Sequence, residues 1–282
     1  MKYLIFFSLA VFQLLAAPVA LVTGASRGIG LAAAEVLADR GYSVYGTVRI
    51  AMSHPKIHFE VIDLGDCSQI AELIGKIVAA EGRIDALINN AGYALGGPVE
   101  CLSMEEIKGQ MDINFIAPIR MIQAVLPQMR KQGSGRIVNI SSEQGVYGLP
   151  YGSLYTASKA ALESLSEALS IEVLPWNIWV SLVEPGLVQT HFSIKTASKK
   201  MGEYQHVFDA LKTQIEQRAA GSLEGGQTAQ EIASFICNVI EDPSPKLRYQ
   251  TSKEAEKAVS IKLKDLTGEA YLEAMKEWFP RE

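Results

Sequence analysis

The sequence predicts an α/β fold: a doubly wound parallel sheet of about seven strands with helices on both faces. Two patterns carry that expectation. Short runs of β-branched and aliphatic residues alternate along the chain with helical stretches of about ten residues or more. The first such run breaks into a glycine-rich turn that leads into a helix. With 282 residues, 48% of them hydrophobic, the chain can bury a substantial core.

Residues 18–23 are apolar and β-branched, break at Gly24, and read as the first strand. Residues 31–39 are alanine-rich with helical spacing and stop before Gly41, a residue type that closes helices. Strands are expected at 43–48 and 57–62, a helix at 68–80 stopped near Gly82, and a fourth strand at 86–89. Ser103 caps a long helix running to about Lys131, in which Pro118 and Pro127 are candidate kinks. A fifth strand at 136–140 precedes a second long helix at 153–174, ended by Pro175. A sixth strand at 178–183 is broken by Pro185 and Gly186. Residues from about 190 to 225 are polar and mixed and read as a mobile lid over a pocket. A helix at 228–240, a seventh strand at 246–250 and a mostly helical tail after Ser252 follow. No internal repeat or low-complexity linker is present, so residues 18–282 read as a single domain, with the lid at about 191–226.

Composition excludes several functions. The net charge is −5 and no basic stripe is present, so nucleic-acid binding has no electrostatic footprint. The three cysteines, Cys67, Cys101 and Cys237, are far apart and form no disulfide framework. The histidines, His54, His58, His191 and His206, show no metal-ligand spacing, and Pro55 keeps the first two off a shared helix face. No metal site is expected. Residues 1–17 are almost entirely apolar. About fifteen of them are free of the first strand, and as a helix those would cover only about 23 Å, short of the ~30 Å hydrocarbon core. Two readings stand for them: a signal-peptide core, or a segment that rests on a membrane or on the domain.

The glycine turn is Gly24-Ala25-Ser26-Arg27-Gly28-Ile29-Gly30. Its spacing is G-x-x-x-G-x-G, yet the physics is that of any dinucleotide turn. Glycines permit the tight bend, the close approach of backbone to a pyrophosphate, and the packing of helix on strand. The helix N-terminus offers free N–H groups to phosphates. An ordinary strand-to-helix loop is the bland alternative. An NAD site usually places an acid at the end of the second strand to bind the ribose 2′-OH. Here that strand ends Thr47-Val48-Arg49, with no acid. Arg49 and Arg27 suit a 2′-phosphate instead, which favours NADP(H).

Tyr155 and Lys159 open the second long helix four residues apart, on one face. A lysine ammonium there is expected to lower the tyrosine pKa from its usual value of about 10. A phenol nearer neutrality can exchange a proton with a reacting oxygen. The fifth strand ends in Ser141-Ser142, where a hydroxyl can hold a substrate oxygen or simply cap a turn. Asn89-Asn90-Ala91-Gly92 ends the fourth strand, either as a turn or as a backbone brought close to a cofactor ribose. Asn114 lies inside an apolar helix, where a buried structural hydrogen bond competes with a functional role. Tyr151 reads as a pocket or packing aromatic.

Together TGASRGIG, NNAG, Asn114, the serine before YTASK, and PGLVQT resemble the short-chain dehydrogenase/reductase family, in the right order from residue 19 to about 190. The resemblance implies a Rossmann-like sheet. It implies Tyr155 as the acid/base, with Lys159 lowering its pKa and holding the nicotinamide ribose. It selects Ser142 over Ser141 as the residue that orients substrate, and Asn114 as the anchor of a water linked to the lysine. It implies that Asp63, with Leu64 beside it, contacts adenine, and that Pro185, Gly186, Val188 and Thr190 orient nicotinamide. GTVR at 46–49 and the late PSPKLRYQTSKEA are similar to the steroid and retinol branch. The expected function is NADP(H)-dependent interconversion of a carbonyl and an alcohol on a lipophilic substrate such as a steroid or retinoid. The alternatives are a 3-ketoacyl thioester reductase and a non-catalytic NADP-binding protein. The resemblance also implies a homodimer through the two long helices. A cytoplasmic or cytosol-facing location is expected, with membrane association through the first segment or export by its cleavage left open.

Overall fold

The computed structural model describes residues 17–189, 192, 194–219 and 226–264. Residues 1–16 and Thr190 lie outside the described residues, as does the start of the expected lid at His191.

In chain order the elements are β1 (Val19–Val22), α1 (Gly28–Asp39), β2 (Ser43–Val48), β3 (Ile57–Val61), α2 (Cys67–Glu81), β4 (Ala86–Asn89), β5 (Ala94–Gly96), α3 (Met104–Met111) and α4 (Ala117–Gln132). There follow β6 (Gly135–Ile140), α5 (Ser153–Glu172), β7 (Ile178–Glu184), β8 (Val188–Gln189), β9 (Ile194–Thr196), α6 (Gln205–Ala219), β10 (Gln227–Thr228), α7 (Ala229–Glu241), β11 (Arg248–Gln250) and α8 (Lys253–Lys264). Seven strands form one parallel sheet in the order β11-β7-β6-β4-β1-β2-β3.

Side-chain alternation divides the core. Val19 and Leu21 of β1 point into one hydrophobic layer with α2, α4 and Leu169 of α5. Ala20 and Val22 point into the other, with α1 and α7. All four β1 residues are buried, as a strand covered on both faces requires. The chain runs outward from β1 to β2 and β3 on one side, and from β4 to β6, β7 and β11 on the other. The direction of winding therefore reverses between β1 and β4, where a crevice opens at the carboxyl ends of the strands.

The helix caps follow local chemistry. Asp66 accepts a hydrogen bond from the Ser68 amide at the start of α2, and Gly82 closes that helix with φ 74°. Ser103 and Glu106 form a capping box at α3, and Thr228 with Glu231 form another at α7.

Several expectations need correction. The long helix expected from Ser103 to about Lys131 contains a wide π turn over Asp112–Ile116, between α3 and α4. Pro118 sits in the first turn of α4, directly after the π turn, where the regular i→i−4 ladder is already interrupted. α5 stops at Glu172, before Pro175, and Leu174–Trp176 forms a 3-10 turn. The helix expected from residue 31 begins at Gly28, inside the glycine turn. The described residues of the expected lid hold regular structure: β9 pairs in parallel with β5, and α6 follows. Among the described residues no helix is long and apolar enough to cross a membrane.

Candidate active site

A cleft of about 790 Å³ opens over the carboxyl ends of the strands. The glycine turn and the β4 end meet across its floor. The Thr23 hydroxyl accepts from the amides of Asn90 and Ala91 at 3.0 Å each. The Asn90 side chain donates to the carbonyls of Thr23 (2.9 Å) and Gly24 (3.2 Å). Gly24 has φ +66°, and a Cβ there would lie 2.9 Å from Cα of Ala91. A Cβ on Gly30 would lie 2.4 Å from both Nδ2 of Asn90 and the Gly24 carbonyl. Glycine is therefore required at Gly24 by conformation and by space, and at Gly30 by space. Thr47, which sequence reading passed over, anchors the turn from β2: its hydroxyl accepts from the Gly24 amide at 3.1 Å, and its carbonyl from the Ala25 amide at 2.9 Å.

Arg27 precedes α1 and makes no side-chain cap, so the first amides of that helix keep their hydrogen-bonding capacity beside the cleft. Ser26, Arg27, Gly28, Ile29, Arg49, Asp63 and Leu64 all line this end. Arg27 and Arg49 are exposed, with no acid at the β2 end. Asp63 accepts from the Gly65 amide at 2.8 Å. Ala91, Gly92, Pro185, Gly186 and Val188 line the middle of the cleft. The described cofactor-site residues thus share one cleft, except Gly30, which is buried beneath the turn. A floor with room for backbone only, uncapped amides and two guanidiniums fit a dinucleotide with a 2′-phosphate.

Tyr155 and Lys159 also line the cleft, from the first turns of α5. Ser142 lies at the end of β6, shares a side-chain hydrogen bond with Tyr155, and accepts from the Gln144 amide at 3.2 Å. The capping role and the placement beside the phenol coexist. Lys159 is buried, and its Nζ donates to the Ile140 carbonyl at 2.6 Å. Burial pulls the Lys159 ammonium down to about 8, with Glu163 opposing. Burial pushes the Tyr155 phenol up to about 12; the Ser142 hydrogen bond lowers it and Glu143 raises it. The expected lowering of the tyrosine by the lysine is therefore not what the protein alone displays. Desolvation is the largest influence on the phenol, and the ammonium is engaged by the Ile140 carbonyl.

Asn114 is fully buried within the π turn. It donates to the Tyr93 carbonyl (2.9 Å) and Ser158 hydroxyl (3.0 Å), and accepts from the Tyr93 amide (3.1 Å). A Cβ on Gly92 would come within 3.3 Å of Asn114 Oδ1 and 3.8 Å of Lys159 Nζ, so these groups crowd one point.

Behind the lysine lies a charge cluster that sequence reading missed. Arg248 of β11 is hydrogen-bonded to Glu163, to Glu184 at 2.8 Å and to Glu167 at 2.5 Å. Glu163 and Glu184 are buried. Burial, and then Glu184, raise the Glu163 pKa, while Arg248 opposes them. The signal was present in the sequence: Tyr155, Lys159, Glu163 and Glu167 recur every fourth residue on one helix face.

The model of the family described as short chain dehydrogenase matches residues 18–201. The 3-ketodihydrosphingosine reductase of Bacteroides thetaiotaomicron is 37% identical, over 81% of this chain and 85% of that protein. Human 17-beta-hydroxysteroid dehydrogenase type 1 is 33% identical, over 93% of this chain and 85% of its own. A crystal structure of a short-chain dehydrogenase from Streptomyces avermitilis superposes with TM-score 0.79 at 30% identity, covering 93% of this chain and 96% of that one. A metagenomic short-chain oxidoreductase solved in complex with NADP gives TM-score 0.65 at 28% identity, covering 84% and 97%.

Proposed function

The chain belongs to the short-chain dehydrogenase family, and from that premise we propose that it is an NADP(H)-dependent oxidoreductase interconverting a carbonyl and an alcohol on a lipophilic substrate. The observation that carries the reading is the convergence of Ser142, Tyr155 and Lys159 on the cleft that also holds the glycine turn. When bound, the nicotinamide supplies or accepts the hydride. The protein's own residues do the rest. Ser142 holds the substrate oxygen by a hydrogen bond. Tyr155 gives that oxygen a proton on reduction and takes it back on oxidation. Lys159, beside the phenol, favours its ionised form and holds the nicotinamide ribose. Asn114 fixes the Tyr93 backbone and Ser158, and so the wall next to Lys159.

Arg27 and Arg49, with no acid at the β2 end, support NADP(H) over NAD(H), and the relative solved with NADP is in keeping with this. Asp63 and Leu64 are assigned to adenine, and Pro185, Gly186, Val188 and Thr190 to the nicotinamide end. Residues 18–282 are read as one domain in which the 191–226 segment covers substrate. Leu95, Leu149, Phe192 and Phe208 line the cleft, which supports a lipophilic substrate. The names of the relatives support a steroid or retinoid substrate, and add ketodihydrosphingosine as a candidate. A homodimer through α4 and α5, a cytosol-facing location and membrane association through residues 1–17 complete the reading. The test is a screen that follows NADPH consumption with ketosteroids, retinal, ketodihydrosphingosine, ketoacyl thioesters and simple ketones. Turnover of none of them, with NADPH bound, would favour a non-catalytic NADP-binding protein.

A further inference from the structure

Three successive residues at the end of β6 meet three residues of α5. The Ile140 carbonyl accepts from Lys159 Nζ at 2.6 Å, and Ser142 shares a side-chain hydrogen bond with Tyr155. Between them, Ser141 faces Glu163. A Cβ on Gly145 would lie 2.6 Å from Ser141 Oγ and 3.1 Å from Glu163 Oε1, so the two side chains crowd one buried point. Glu163 stands one helical turn beyond Lys159, as Lys159 stands one turn beyond Tyr155. Its carboxylate is seated from the sheet. Arg248 of β11 donates to Glu163 and, at 2.8 Å, to Glu184 of β7, which also accepts from Gln250 at 2.8 Å. Glu163 is thus faced by Lys159 and Glu167 from its own helix, by Glu184 from β7, by Arg248 from β11 and by Ser141 from β6.

Charge does not balance within this cluster. Three carboxylates, Glu163, Glu167 and Glu184, meet the single guanidinium of Arg248, and Glu163 and Glu184 are buried. Stability alone does not call for such a group, since buried ion pairs are often no better than apolar packing. The next cation along α5 is Lys159. Burial pulls its ammonium down, and Glu163 opposes that pull. Arg248 and Ser141 in turn favour the ionised form of Glu163. We propose that Glu163 is a positioning residue that keeps Lys159 charged beside Tyr155, with Arg248 seating the carboxylate and Ser141 linking it to the strand end that carries Ser142. The inference deepens the oxidoreductase reading above and rests on it for the role of Lys159.

The experiment uses the full chain with NADP+ bound and its lysines labelled with 13C, the Lys159 signal being assigned by its loss in Lys159→Met. The signal is titrated from about pH 6 to 10, the range that brackets a depressed lysine. Glu163→Gln should lower the Lys159 midpoint by about half to one pH unit, the partial effect of a carboxylate whose charge Arg248 offsets. Glu163→Asp keeps the charge and should hold the midpoint closer to that of the unaltered protein. In NADPH-dependent ketone reduction, the loss of kcat/KM in Glu163→Gln should grow as pH rises through the lowered midpoint, whereas a merely structural defect lowers the rate equally at every pH. Should Glu163→Gln not fold, Ser141→Ala removes only the hydroxyl beside the carboxylate and should move the midpoint the same way by less. An unmoved midpoint in the folded variant, or equal shifts for Gln and Asp, overturns the proposal. Ketone turnover with an unmoved midpoint would spare the oxidoreductase reading. A midpoint that follows the Glu163 charge in a protein that turns over no ketone would do the reverse.

Discussion

Lys159 lies one helical turn beyond Tyr155, with its ammonium 5.8 Å from the centre of the phenol ring, yet its hydrogen bond goes to the Ile140 carbonyl at 2.6 Å. The two groups share a cleft wall without a direct bond between them. Each titrates away from its ordinary value because it is buried, the lysine downward and the tyrosine upward.

Removing the phenolic hydroxyl should separate chemistry from binding. Tyr155→Phe keeps the ring that packs against Phe192. Turnover should fall by about 10²–10⁴-fold, the usual worth of a positioned general acid. NADPH affinity, read by fluorescence titration, should stay within about twofold. A near-normal rate would reject Tyr155 as the acid.

Arg49 gives a test of cofactor choice. Arg49→Asp places a carboxylate where a 2′-phosphate would sit and recreates the acid found in NAD sites. NADPH affinity should fall on the order of tenfold to a hundredfold more than NADH affinity. Equal loss for both cofactors would show that Arg49 does not meet the phosphate.

The lysine also predicts a pH effect on stability. Lys159 titrates at about 8 in the folded protein against an ordinary 10.5. Between those values the unfolded chain binds more protons than the folded one, so this group's contribution to stability rises with pH across the window. Tyr155, raised from 10.0 to about 12, acts in the opposite sense, and its contribution is lost as pH climbs between those values. Urea denaturation from about pH 7 to 10 should show a shallower rise for Lys159→Met than for the unaltered protein. Parallel curves would mean that the lysine is not depressed.

Arg248 should matter more for stability than its partial exposure suggests. Removing its charge leaves the carboxylates of Glu163 and Glu184 buried without their cation. Arg248→Met is expected to cost about 3–5 kcal/mol in denaturant unfolding. Replacing Glu163 by Gln in the same background should recover part of that loss, because one buried charge is then gone.

Much of this architecture was legible. Six of the seven main strands, β1 to β4, β6 and β7, carry Val, Ile, Leu or Ala, and period and composition suffice to place such segments, whereas β11 is Arg-Tyr-Gln. Tyr155, Lys159 and the glycines were legible because helix spacing and backbone sterics demand particular residue types. The β5–β9 pair was not legible, since each strand is three residues long and Ile194–Thr196 is exposed throughout, leaving no alternation to read. The π turn was hidden because an extra residue per turn leaves no compositional mark in DINFI. The direction of the tyrosine shift was missed for another reason. Spacing reveals which charge is near, whereas desolvation depends on everything packed around it.

Because every strand of the main sheet points the same way, the amino end of β1 and the mouth of the cleft lie on opposite rims. Whatever precedes residue 17 joins the domain at the far rim. A tag, a tether or a lipid surface attached there would grip the enzyme from behind and leave the entrance facing away from its anchor.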